Sequence, residues 1–186
     1  AAKKKATTAK SIASKAAVPT PITLPPTHTL IVDNGGDTLK YGWITEDKPR
    51  TPLPNLSARL MHQFTTLVGD ELGPVQNPNS LIARTRSTER GLITNMENQT
   101  RVWKRMLDLL GVVVPLNTEA AKCFGWNIAK GKKGKAAAAE SAVTKIPAHT
   151  VAVILLLPPH CPRVILDSIL HVWFEDFGVA HVGLGV

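Results

Sequence analysis

The sequence predicts an α/β fold built on a mixed five-stranded sheet. Three short apolar segments near 29–33, 38–44 and 51–54, separated by turn residues, predict an antiparallel meander. Farther along, an apolar strand at 151–157, a helix and a last strand at 179–186 form the pattern of a parallel βαβ unit. Because βαβ crossovers are right-handed and sequential strands tend to be neighbours, we expect the strand order 3-2-1-4-5 with flanking helices.

Local signals place both helices. Asn95 or Thr94 is a suitable N-cap for the first helix, which should end at Gly111. In the second helix, Pro162 takes the first helical position and Gly178 follows the last residue, Phe177. The first helix carries an apolar stripe at helical spacing, made of Val102, Trp103, Met106, Leu107 and Leu110. We therefore expect this helix to pack on the sheet, with Trp103 as a core anchor.

The region between the third strand and the first helix looks irregular. Residues 55–89 contain Gly73-Pro74 and the turn-forming residues 77–79. These are loop signals, so we expect little regular structure there.

Composition limits the class of protein. The chain has 186 residues, of which 44% are hydrophobic and 19% charged, an ordinary mix for one domain with a sizeable core. The longest apolar run, at 151–157, suits a buried strand and is too short to cross a bilayer, so we expect no membrane partner. Cys123 and Cys161 lack metal or redox spacing, which favours reduced intracellular thiols over a disulfide framework.

The net charge of +8 belongs mainly to two segments. Residues 1–20 carry five lysines and no acid, residues 117–147 carry six lysines and two glutamates, and the remainder is close to neutral. Both segments are too rich in Ala, Lys, Ser, Thr and Gly to bury a core. We therefore divide the chain into a disordered basic tail at 1–27 and a domain at 28–186, with a low-complexity surface insertion at 117–147.

Three interpretations fit the basic tail. A solvated tail is the first, because no aromatic residues interleave its lysines as a stacking surface for nucleic acid would require. Nonspecific nucleic-acid contact and a targeting signal are the alternatives.

The candidate functional site lies within residues 30–43, LIVDNGGDTLKYGW. Asn34-Gly35 favours a tight turn with positive φ between two strands, and Gly35 and Gly36 would let backbone N–H groups approach a phosphate closely. Asp33 could hold a water molecule of a bound Mg²⁺, and Lys40 could contact a phosphate oxygen. Taken alone, the pattern also fits an ordinary Asn-Gly hairpin that binds nothing, which is the commoner case.

Four segments in order resemble the actin superfamily. Residues 33–43 resemble its first phosphate loop, and 68–71, VGDE, resemble its VGDEA segment. Residues 90–103 and 151–177 resemble two later segments, and the likeness covers 29–186 apart from the insertion. Within the superfamily the likeness is strongest to a nuclear actin-related protein. That protein carries a proline-asparagine after its third strand, here Pro54-Asn55, and a helix ending in VFEDFGF, here WFEDFGV at 173–179.

The resemblance implies an actin-like, ribonuclease-H-like first lobe, with a reduced second subdomain at 55–89. It implies ATP or ADP with Mg²⁺ as the ligand class, facing Asp33, Asn34, Gly35, Gly36 and Lys40. The superfamily's second phosphate hairpin, adenosine motif and water-orienting glutamine would all follow residue 186. We therefore expect the second lobe to be absent from this chain, and no catalytic residue within it.

The first loop also departs from the actin pattern. Gly36 replaces a hydroxyl residue of actins, and Asp37 adds negative charge near the expected phosphates. Because like charges repel at that distance, we expect nucleotide binding to be weak.

Two functions fit this resemblance. The first is a non-catalytic interaction subunit of a nuclear chromatin-remodelling complex of the histone-exchange type, with the cytoplasm as a second compartment. The runner-up is the ATP-binding first lobe of an actin-like ATPase or of a superfamily kinase.

The expected open surfaces imply partners. The last strand should lie at a sheet edge, and the faces carrying Ile154, Leu156, Ile165 and Ile169 should be incompletely covered. We therefore expect the second lobe, or a partner chain such as another subunit of the complex, to complete the fold.

Overall fold

The computed structural model of the chain describes residues 25–61, 66–74, 81–115 and 145–185. The predicted tail up to residue 24 and the predicted insertion from 117 to 144 lie outside these residues. The described helices and strands are β1 His28–Asn34, β2 Thr38–Trp43, β3 Leu53–Pro54, β4 Leu56–Leu60, β5 Thr66–Val68, β6 Leu81–Arg86, β7 Thr88–Glu89, β8 Leu92–Ile93, α1 Met96–Leu109, β9 Val112–Val113, β10 Ile146–Pro147, β11 Val151–Leu156, α2 Arg163–His171 and β12 His181–Gly185.

The main sheet has five strands in the order β12-β11-β1-β2-β3. Strand β1 runs antiparallel to β2 and parallel to β11, and β11 runs parallel to β12. This arrangement confirms the predicted order 3-2-1-4-5. As expected, β12 lies at the edge of the sheet.

One face of this sheet forms the core. Leu30 and Val32 on β1 lie beside Val153 and Leu155 on β11, and all four are fully buried. The core also contains large apolar side chains from both helices and from the turn after α2, namely Trp103, Met106, Leu107, Ile169, Trp173 and Phe177. The ring of Trp103 lies 5.2 Å from that of Trp173, which meets Phe177 edge-on at 5.1 Å. The prediction that Trp103 anchors the core is confirmed.

Helix α1 begins where the sequence predicted. The Asn95 side chain accepts a hydrogen bond from the Asn98 backbone N–H at 2.9 Å, which satisfies a donor that the helix itself leaves free. The helix ends at Leu109, and Gly111 follows with a φ of 74°.

The start and end of α2 differ in detail from the prediction. Pro162 has extended backbone, with φ −58° and ψ 138°, and lies just before the helix instead of at its first position. The helix continues into a π-helical turn over Val172–Asp176, which periodicity alone does not reveal. Gly178, with a φ of 66°, closes the segment as predicted.

The expectation of little regular structure at 55–89 was wrong. Strands β4, β5 and β6 form a small three-stranded sheet in the order β5-β4-β6, and β7 pairs with β8. The pairing of β4 with β6 shifts register between Ser57 and Arg59, and Ala83 opposite this shift has a φ of 50°. The turn signals at 73–74 and 77–79 therefore mark the connection between strands, not the absence of strands.

An arginine on α1 ties this small sheet to the domain. The Arg105 guanidinium donates to both carboxylate oxygens of Asp70, at 2.8 and 2.7 Å, and lies 3.5 Å from Glu71. The hydrogen bonds from Arg105 lower the pKa of Asp70 below its ordinary value. The VGDE segment thus serves as a structural link.

A short parallel pair brings two distant parts of the chain together. Val112–Val113 pairs with Ile146–Pro147, and the Ile146 N–H donates to the Gly111 carbonyl at 3.0 Å. The residues on either side of the segment 116–144 are therefore neighbours.

The second face of the main sheet is less covered. Ile31 and Ile154 are half-buried, Leu156 is 39% exposed, and none of the three belongs to the core. Ile165 is also half-buried, although it packs against the core. The expectation of incomplete cover was wrong for Ile169, which is fully buried because it lies on the side of α2 that faces the core.

None of the helices in the described parts of the chain has the length and apolar character needed to span a membrane.

The buried stripe of α1 gives a test of this core. Replacing Leu107, which is fully buried, by alanine should cost about 2–5 kcal/mol of unfolding free energy, because it leaves a cavity beneath the sheet. Leu109, on the same helix and 37% exposed, is the matched control and should cost roughly 0.5–1 kcal/mol. Chemical denaturation of both variants provides the measurement, and equal losses would contradict the packing described.

Candidate functional site

The predicted site residues lie together on one hairpin. Asp33 and Asn34 end β1, Gly35 and Gly36 lie in the turn, and Lys40 lies on β2 directly opposite Asp33. The Lys40 Nζ lies 3.3 Å from Asp33 Oδ2, and both side chains are substantially exposed, at 57% and 42%. The lysine and the acid of the predicted site are thus paired with each other.

The turn differs from the predicted one. Neither Asn34 nor Gly35 has positive φ, so that prediction was wrong. Three residues, 35–37, separate the strands, and Asn34 stays in β1 in place of forming a two-residue turn. Position 35 requires glycine because a Cβ there would lie 2.5 Å from the Thr38 carbonyl oxygen and overlap it. At Gly36 the nearest atom, Thr88 Oγ1, would be 3.5 Å away, which is ordinary contact.

A chain of side-chain amides supports the turn from below. The Trp103 Nε1–H donates to Asn34 Oδ1 at 3.1 Å, and Asn34 Nδ2 donates to Gln99 Oε1 at 3.3 Å. Gln99 Oε1 also accepts from Asn55 Nδ2 at 3.2 Å, and the same Nδ2 donates to the Gly35 carbonyl at 2.9 Å. Because an indole N–H can only donate, it fixes the orientation of Asn34 and, through it, of the other amides.

These hydrogen bonds give Asn34 a structural role. Its oxygen and nitrogen both bond to residues of α1, so its side chain is engaged inside the domain. Gln99 and Asn55, at 0% and 1% exposure, were missed by the sequence reasoning. A signal for Gln99 was available, because it lies four residues before Trp103 and so falls on the apolar stripe of α1.

Residues in and beside the small sheet hold the rest of the turn. Thr88 Oγ1 donates to the Gly36 carbonyl at 3.0 Å, and the Asn55 N–H donates to the Asp37 carbonyl at 2.8 Å. Arg86 Nη1 lies 2.9 Å from Asp37 Oδ1. The extra negative charge expected from Asp37 is therefore balanced by Arg86.

The described residues offer few groups for metal or nucleophilic chemistry. Among them no cluster of three or more His, Cys, Asp or Glu side chains could hold a metal ion. The part-exposed Asp33 carboxylate suits the predicted indirect role, contact with a water molecule of Mg²⁺. Burial raises the pKa of the Cys161 thiol above its ordinary value, which opposes formation of a reactive thiolate.

Comparison with known proteins decides the family. The description of the matching family is Actin, and the match covers residues 24–185 of this chain. The chain belongs to the actin family. The likeness predicted from four motifs is confirmed, and the five-stranded sheet is that of an actin-like first lobe.

Three relatives in this family share one name. The chain is 42% identical over 85 residues to "Actin-related protein 6" of Neurospora crassa, a stretch covering 44% of this chain and 18% of the relative. It is 32% identical over 89 residues to the protein of that name in Oryza sativa subsp. indica, covering 48% and 21%. The Dictyostelium discoideum protein is 31% identical over 74 residues, covering 40% and 15%. The matched stretch spans about a fifth or less of each relative's length.

The two turn glycines of this actin-family hairpin give a matched pair of variants. Gly35→Ala should destabilise the fold by about 1–3 kcal/mol, because its Cβ would overlap the Thr38 carbonyl. Gly36→Ala should change stability by no more than about 0.5 kcal/mol, because there is room for the methyl group and φ is not positive. Thermal and urea melts of both variants measure the difference, and an equal loss at Gly36 would refute this account of the turn.

Proposed function

We propose that this chain supplies the first lobe of a non-catalytic actin-related subunit, an interaction protein of a nuclear chromatin-remodelling complex of the histone-exchange type. The shared name of the relatives from a fungus, a plant and an amoeba supports the actin-related branch of the family. The observation that carries the proposal is the charge around the turn. Lys40 pairs with Asp33 and Arg86 with Asp37, so the four side chains sum to zero.

This balance bears on nucleotide binding. Exposed ion pairs are worth about 0–1 kcal/mol, so freeing Lys40 from Asp33 would cost little by itself. The larger obstacle is that the turn offers a polyphosphate no net positive charge, and that position 36 has no hydroxyl group to donate. A bound Mg²⁺, with Asp33 holding one of its waters, would offset only part of the repulsion. ATP or ADP should therefore bind weakly to this hairpin.

The second face of the main sheet supports a role in assembly. Beside Ile31 lies a groove of about 300 Å³ lined by Gly42, Pro49 and the Asp33–Lys40 pair. Leu156 and the edge strand β12 extend the partly covered surface on the other side of β1. A half-covered aliphatic surface next to β12, the edge strand of the described sheet, favours contact with the second lobe or with another subunit.

The alternative function is the ATP-binding first lobe of an actin-like ATPase or superfamily kinase. It is favoured by the open position of Gly36, where a ligand could approach the backbone closely. Nucleotide binding distinguishes the two proposals.

Calorimetry with Mg-ATP tests the non-catalytic proposal. We expect no binding tighter than about millimolar, because the turn has no surplus positive charge to offset the phosphates. Asp33→Ala should not alter this result, and Asp47→Ala, at an exposed acid on another loop, serves as its control. A micromolar dissociation constant that is lost in Asp33→Ala and kept in Asp47→Ala would overturn the proposal in favour of the ATPase.

A second experiment tests the partner surface. The isolated chain should self-associate in sedimentation and bind a hydrophobic dye, because aliphatic groups on the second sheet face remain accessible. Leu156→Gln should reduce dye binding, whereas Val164→Gln, at a more exposed residue of α2, should reduce it less. A monodisperse monomer with a cooperative melt and no dye binding would contradict the proposal that the second sheet face binds a partner.

A further inference from the structure

The peptide groups of the turn 35–37 are oriented by two buried side chains. Asn55 Nδ2 donates to the Gly35 carbonyl at 2.9 Å, and Thr88 Oγ1 donates to the Gly36 carbonyl at 3.0 Å. Both donors are at least 95% buried. Two successive carbonyl groups of the turn therefore point into the domain.

The geometry of a trans peptide then fixes the amides. The Gly35 carbonyl shares a planar peptide group with the Gly36 N–H, and the Gly36 carbonyl shares one with the Asp37 N–H. In a trans peptide the carbonyl and N–H point in opposite directions, and no described peptide bond is cis. The Gly36 and Asp37 N–H groups therefore point away from Asn55 and Thr88. Neither amide donates to another backbone group of the described residues.

The orientation of Asn55 is itself determined. Its Nδ2 lies between the Gly35 carbonyl and Gln99 Oε1, and two acceptors can share only the nitrogen of this amide. Gln99 presents its oxygen because Asn34 Nδ2 donates to it, and Asn34 is set by the Trp103 indole N–H. The direction of the turn peptides is thus specified from the core.

We infer that Asn55, oriented through Gln99, and Thr88 are positioning residues that present the Gly36 and Asp37 N–H groups outward as adjacent donors. The resemblance of this hairpin to a phosphate loop already implies N–H groups directed at a phosphate. Asn55 and Thr88 are the side chains that orient those groups in this chain. The positioning acts in the free protein, so it does not depend on the proposed function or on a bound nucleotide.

Amide NMR of the whole chain tests this assignment, because each donor controls a different peptide group. Thr88→Val, which keeps the side-chain shape and removes the hydroxyl, should shift the Asp37 amide resonance and change its exchange with water. Asn55→Ala should do the same to the Gly36 amide. Thr100→Val is the control, because Thr100 is fully buried and its hydroxyl donates to Met96 within α1, away from the turn.

Variants of Gln99 separate positioning from simple support. Gln99→Glu retains an oxygen that can accept from Asn34 and Asn55, so the Gly36 amide should stay near its original resonance. Gln99→Met removes that acceptor, and the Gly36 amide should move together with the Trp103 indole N–H.

Two results would overturn the inference. One is a Thr88→Val spectrum in which the Asp37 amide moves no more than in Thr100→Val, and the other is a Gln99→Met spectrum with an unmoved Gly36 amide. If Asn55→Ala or Gln99→Met fails to fold, the comparison of Thr88→Val with Thr100→Val decides alone, because each of these variants keeps the shape of the side chain it replaces.

Discussion

The hydrogen bond from the Trp103 indole to Asn34 links the hydrophobic core to the hairpin. The ring is fully buried beside Trp173, so its N–H would cost about 1–3 kcal/mol if it had no acceptor. Asn34 supplies that acceptor at 3.1 Å, from the last position of β1. A residue that a family comparison would place in a ligand site is therefore also required by the packing of α1 on the sheet.

The same constraint extends to the rest of the polar interior. Gln99 and Asn55 are amides next to the apolar core, and each is at least 99% buried. Asn55 Nδ2 and Gln99 Oε1 bond to each other, whereas Asn55 Oδ1 and Gln99 Nε2 have no hydrogen-bond partner among the described residues. Hydrogen bonds are directional in a way that apolar contacts are not. The turn consequently has one preferred backbone arrangement, whereas a purely apolar support would leave its peptide groups free to rotate. Rigidity here comes from polar groups, although most of the stability comes from the apolar core.

Local signals made the main sheet and α1 predictable. The Asn95 cap can be recognised from the residues of one helical turn, and the buried strand β11 from its own apolar residues. The right-handed crossover and the tendency of sequential strands to be neighbours then gave the order of the strands. The small sheet was not predictable in this way, because Gly73-Pro74 marks a turn equally well in a loop region and between two strands.

The candidate site was predictable in sequence position but not in conformation. Asp33 and Lys40 fall opposite each other because of the strand register, which the hairpin pattern implies. The bond between Asn55 and Gln99 joins residues 44 positions apart, so no local pattern contains it. Negative φ at Gly35 has the same origin, because the contacts of the turn with Asn55 and Thr88 decide its shape.

The pairing of β9 with β10 has a consequence for how this lineage can change. Val112–Val113 and Ile146–Pro147 lie side by side, so two points that are far apart in the sequence are neighbours in the domain. Closing a longer excursion between such anchored ends costs only about 0.6 kcal/mol for each doubling of its length. Residues can therefore be gained or lost between these strands over generations while the sheet and the turn keep their geometry. The connection between β9 and β10 is therefore a place where one member of the family can acquire a segment that others lack.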